Sequence, residues 1–167
     1  MIAQTAILAF AVLMLISAWT DLAGYRIPNW IPLSILALWP LAMIALAPGW
    51  THVGLSLATF VVVLAAGMAL WAPGWIGGGD AKLIAAAALW FGWPDTAGFM
   101  LWFALAGGVL ALALMALRKA VPALPLDPDW VAKGPLAEGA PAPYAVAIAA
   151  GALIVLPGSA LVRMLAV

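Results

Sequence analysis

The chain has 167 residues, enough for one domain, and carries no net charge; 68% of its side chains are hydrophobic and only 7% charged. A soluble globular domain carries roughly 25% charged residues, so six basic and six acidic side chains cannot cover a water-exposed particle of this size, and lipid is the implied solvent. The absence of cysteine excludes disulfides, thiol catalysis and cysteine-based zinc sites; neutrality removes any bulk electrostatic case for nucleic acid, and the single histidine, His52, cannot build a metal site alone.

Residues 2–20 form the first apolar stretch. They lack the Lys or Arg of a signal-peptide n-region, so the segment reads as a retained span. Asp21 ends it. Gly24, Arg26 and Ile27-Pro28-Asn29 follow and read as a tight turn, with Asn29 the cap of the next helix. From Ile27 to Gly79 no charged side chain occurs, which is too long for one span. Ala47-Pro48-Gly49-Trp50 supplies a turn in the middle, giving spans near 29–47 and 52–72, with His52 in the external turn as a structural residue. Gly77-Gly78-Gly79 then leads into Asp80.

The segment 81–93 is apolar but short, about 20 Å as a helix against a hydrocarbon core of about 30 Å. It is expected to cross nonetheless, sheltered by longer neighbours. Asp95 follows Trp93-Pro94 as a turn residue or N-cap. Residues 96–117 and 142–162 complete six spans. Between the last two, residues 118–141 form a Pro-rich cytoplasmic loop in which Asp127, Asp129 and Glu138 are expected to be solvated. The fold class is all-α: a polytopic membrane protein of six transmembrane helices. With the N-terminus outside, Arg26, Lys82, Arg118, Lys119 and Lys133 lie on the cytoplasmic side and only Arg163 opposite, as the positive-inside rule prefers; both termini are then extracytoplasmic. Trp19, Trp30, Trp50, Trp71, Trp75, Trp90 and Trp93 sit near span ends and read as interfacial belts.

Asp21 follows one crossing and Asp80 follows three, so both lie at the same membrane face. Acids at the edge of apolar helices are costly and usually functional. Three glycines before Asp80 let a substrate strand approach closely, and a helix N-terminus favours its negative charge. Two carboxylates held together cannot both ionise easily and hold one proton between them. That serves aspartic proteolysis: one acid activates water and the other protonates the scissile carbonyl oxygen. The same pair also suits cation binding or a proton relay in a six-helix carrier or channel, though the spans hold few other polar residues.

Asp21 with Arg26, Ile27, Pro28 and Asn29 resembles the first motif of the type IV prepilin peptidases, D-x-x-x-x-R-I-P-N. Gly77-Gly78-Gly79-Asp80-Ala81-Lys82-Leu83 resembles their second, G-x-G-D-x-K-L. Pro143-Tyr144 with Ala145-Val146-Ala147-Ile148 resembles the motif that opens their last span. The resemblance covers nearly the whole chain and is greatest to the short, TadV/CpaA-like members of tight-adherence (Flp) pilus systems. It implies one transmembrane peptidase domain, 1–167, in the bacterial inner membrane. Asp21 and Asp80 are then the catalytic pair, with Gly77, Gly78, Gly79, Arg26, Pro28, Asn29, Lys82 and Tyr144 shaping the site. Lys82 and Arg26 read equally as positive-inside anchors, and Tyr144 as an interfacial aromatic. The implied activity is cleavage after the leader glycine of a prepilin, whose leader and apolar helix are the partners alongside membrane lipids. No metal or organic cofactor is implied. Longer members carry a methylation region with paired cysteines, which this chain lacks. The G-x-G-D element is shared with presenilin-like proteases, which leaves other transmembrane substrates as a neighbouring reading.

Overall fold

The computed structural model describes residues 1–125, 127–137 and 139–165, and among these every regular element is helical. Six principal helices follow the apolar stretches: α1 (Ile2–Gly24), α2 (Trp30–Leu46), α3 (Trp50–Trp71), α4 (Gly78–Phe91), α5 (Asp95–Ala120) and, after a short α6 (Pro128–Lys133), α7 (Tyr144–Val155), with α8 (Ala160–Met164) at the end. Four stretches are long and apolar enough to cross a bilayer: Ile2–Gly24, Trp50–Trp71, Asp95–Ala123 and Tyr144–Met164. The chain is therefore a membrane protein by the length and composition of its helices.

The turns follow from backbone chemistry. α1 closes with Tyr25 in the left-handed region (φ 52), its N–H donating to Asp21 O. α2 closes the same way at Ala47 (φ 45), just before the Pro48-Gly49 turn. The expected span 142–162 corresponds to Tyr144–Met164, but within it the α-helix is interrupted by a 3-10 turn, Leu156–Gly158, because Pro157 lacks the N–H an α-helix needs. Asp95 is the first residue of α5, and its role is tertiary. Its Oδ2 accepts from Ala160 N at 2.6 Å, capping the start of α8, and Arg163 lies 3.8 Å from its Oδ1.

α4 is the centre of the bundle. It is only 14 residues long, about 21 Å, yet it packs against α2, α3, α5 and α7. Every residue from Ala85 to Phe91 is buried. A helix apolar on all sides belongs in a protein interior, and its longer neighbours make up the missing length. Small residues bring the helices close, as packing in lipid requires. A Cβ on Gly67 of α3 would sit 3.1 Å from Ala81 Cβ, and one on Gly151 of α7 only 2.6 Å from Phe103 N of α5.

An aromatic ladder ties α1 through α4 to α5. Phe10 stacks on Trp90 with centroids 4.7 Å apart, meets Phe91 edge-on, and Phe91 stacks on Phe99. Trp90 is thus not part of an interfacial belt. It is fully buried, and its Nε1 donates to Ile35 O of α2 at 2.9 Å. The other six belt tryptophans are exposed. His52 lies in the first turn of α3 rather than in the connecting turn.

The Pro-rich segment is not all irregular. Asp127 caps α6, its side chain accepting from Asp129 N, and both acids are exposed. Arg118 draws the segment back with hydrogen bonds to Pro135 O and Ala140 O. Glu138 lies outside the described residues.

Candidate active site

Chain reversal at each turn gathers the end of α1, the starts of α2 and α4 and the start of α7 at one end of the bundle. Asp21 sits in the last turn of α1, on its inward face and only 7% exposed. Its Oδ2 accepts from the backbone N–H of Ala145 at 2.8 Å, across 124 residues of sequence. Ala145 is in the first turn of α7, where N–H groups have no partner inside the helix. Asp21 therefore caps α7 from outside, and the partial positive charge of that terminus favours the carboxylate.

Asp80 stands in the first turn of α4, half-buried. Its carboxylate lies over Gly77: a Cβ there would be 2.7 Å from Asp80 Oδ2. The next two glycines also sit against neighbours. A Cβ on Gly78 would be 3.1 Å from Trp71 Nε1, and one on Gly79 3.1 Å from Ile27 Cβ. The glycines thus seat the start of α4 tightly between the end of α3 and the turn after α1.

Asp21 and Asp80 line one cleft of about 500 Å³, together with Tyr25, Arg26, Ile27, Pro28, Asn29, Gly77, Gly78 and Gly79. The two motifs, far apart in sequence, form one surface. Asn29 holds the N-cap position of α2, but its side chain makes no cap. Instead its Oδ1 accepts from Lys82 Nζ at 3.0 Å, tying α2 to α4, because the lysine offers a charged donor and the helix N–H groups do not reach it. Arg26 is exposed; the ion pair found among the described residues joins Arg163 to Asp95, not Arg26 to Asp21. Lys82 and Tyr144 lie outside the cleft lining. Among the described residues no three His, Cys, Asp or Glu side chains cluster as a metal site needs.

Two contributors are not singled out by the sequence, although Ala145 lies in the Pro143–Ile148 motif. The Ala145 donor is a backbone group that any residue type but proline supplies. Tyr25 falls at a position between Asp21 and Arg26 that the D-x-x-x-x-R-I-P-N motif leaves open. Its left-handed backbone (φ 52), uncommon for a residue with a side chain, turns it into the cleft wall, and its buried hydroxyl has no hydrogen-bond partner among the described residues.

The cleft offers two carboxylates, an edge of closely seated glycines and a helix N-terminus that anchors one acid. Two carboxylates facing one cleft are what acid–base hydrolysis of an amide calls for. Neither the curated proteins nor the solved structures include a match to the chain. The model of the type IV leader peptidase family matches residues 8–112, which hold both acids and the helices bearing them. The chain belongs to the type IV leader peptidase family.

Proposed function

We propose that the protein is an aspartic endopeptidase that removes the leader from Flp-type prepilins by hydrolysing the bond after the leader glycine. The observation that carries this is the convergence of Asp21 and Asp80 on one cleft. In the reaction the ionised acid takes a proton from water as the hydroxide oxygen bonds to the carbonyl carbon, and the other acid gives its proton to the carbonyl oxygen. Collapse of the adduct breaks the C–N bond, with a proton passing to the departing amine. Asp21 Oδ2 is engaged by Ala145 N, leaving Oδ1 for the water. The pair works at the cytoplasmic face of the inner membrane, because that orientation keeps Arg26, Lys82, Arg118 and Lys119 inside. The chemistry uses no cofactor, and no methylation follows cleavage, since the paired cysteines of the longer members have no counterpart in this sequence.

The test is reconstitution in liposomes with a panel of Flp-type prepilins, reading the product N-terminus by mass spectrometry. The expected product starts one residue after the leader glycine. Failure to process any of the panel, or cleavage inside the apolar helices of unrelated substrates, overturns the reading.

Gly77→Ala isolates the placement of Asp80. Gly77 is exposed and has an ordinary φ of −68°, so alanine strains no backbone. Its Cβ would displace Asp80 Oδ2, and a misplacement of about 1 Å can lower catalysis about 10²-fold. Initial rates of leader removal should fall by about that factor, with protein level and thermal midpoint unchanged.

A further inference from the structure

α2 and α3 both pack on α4 but scarcely touch each other. Between them lies a second cavity, of about 570 Å³, walled by Leu36 of α2 and by Phe60, Leu64, Met68 and Trp71 of α3, with Ala81 of α4 as its floor. The α3 residues recur every three or four positions, so they form one stripe along a helix face. From Phe60 to Trp71 the stripe runs about 16 Å, roughly half the hydrocarbon thickness. The groove is apolar except at one end, where Asn29 and Lys82 stand. At that end it meets the acid cleft: Asn29 and Gly78 line both.

We infer that this groove seats the apolar helix of the prepilin, delivering its leader-proximal end to Asp21 and Asp80. The inference rests on the function proposed above. Two features choose this occupant. The groove is continuous with the acids, so a chain lying in it passes its end directly to them. Its polarity is confined to the same end, matching an apolar helix that gives way to a polar peptide at the scissile bond. The Lys82–Asn29 hydrogen bond crosses the junction and offers a donor to the peptide backbone there. In lipid a helix gains nothing by hiding apolar surface, so its seat depends on shape and close packing. A steric plug is therefore a sharper probe than a change of polarity.

The experiment uses the full chain in liposomes with two substrates: an intact prepilin, and a soluble peptide spanning leader and cleavage site but lacking the apolar helix. Leu64→Trp should raise KM for the intact prepilin about tenfold, the equivalent of one helix-packing contact. Its kcat, and its cleavage of the peptide, should stay within about twofold of the parent. Val109→Trp, on a lipid-facing part of α5, should alter neither. A photo-crosslinker replacing Leu64, in an Asp80→Asn background, should capture the prepilin helix, and the same group replacing Val109 should capture lipid. Unchanged KM in Leu64→Trp, or capture of lipid or a second copy of the chain alone from position 64, overturns the groove while the peptidase reading stands. If Leu64→Trp does not accumulate, the crosslink decides by the same two outcomes. If the parent protein cleaves neither substrate, the peptidase reading itself fails.

Discussion

Asp80→Asn and Asp21→Asn, made separately, are each expected to lower leader removal by about 10³-fold or more while the protein accumulates normally. Asparagine keeps the shape of aspartate and an accepting oxygen, so the amide introduced by Asp21→Asn can still receive the Ala145 N–H that holds α7 against α1. What it cannot do is exchange a proton with water. Both single variants should therefore be equally silent, and the double variant no worse, as expected of groups that act together. Asp95→Asn is the control: its carboxylate caps α8 in a different part of the bundle, so leader removal should persist. Co-expression with a prepilin, resolving precursor from product on gels, reads all four. Normal processing by either Asp21→Asn or Asp80→Asn ends the proposed mechanism.

Gly151→Val is expected to be the most disruptive single change in the fold. A Cβ at this position would meet Phe103 N at 2.6 Å and Phe103 Cα at 2.8 Å. These are backbone atoms, so α5 and α7 must separate rather than a side chain rotate. Overpacking of this kind costs about 1–3 kcal/mol, and more where a helix must move. The thermal midpoint in detergent should drop, and activity should drop with it, because α7 carries the donor to Asp21. Gly108→Ala on α5 meets nothing within 4 Å and should leave both unchanged. A tolerated Gly151→Val would show that α5 and α7 pack less closely than described.

Much of the bundle is legible in hydropathy and in a few punctuating residues. Stretches without charge locate the helices, Pro48-Gly49 splits the longest one, and the charge on either side of 81–93 favours a crossing by that short segment, which the structure shows as the buried helix α4. What hydropathy cannot separate is burial in protein from burial in lipid. Trp90 near a helix end and Trp93 just beyond it look alike in sequence; only the first stacks on Phe10 and donates to Ile35 O. Pro157 is visible, but an isolated proline in an apolar run either kinks or breaks a helix, and here it breaks it. At the cleft, most of the motif residues do line one surface, while Asn29 serves as partner of Lys82 rather than as helix cap. That exchange depends on where α4 passes, which no local pattern encodes. The parts played by Tyr25 and by the Ala145 N–H are unreadable for the same reason, although the motif that opens at Pro143 already marks the segment that holds Ala145.

The bond between Asp21 and Ala145 joins α1 to α7 across 124 residues of sequence. A nascent chain halted after α5 would already carry both acids and the contacts of α1 with α2 and α4, yet the earlier acid would lack its Ala145 donor. The walls of the cleft are thus complete before α7 is made, and only the anchoring of one Asp21 oxygen waits for it. A chain cut before α7 is expected to keep the cleft but to hold Asp21 less firmly, and so to remove leaders more slowly than the full chain.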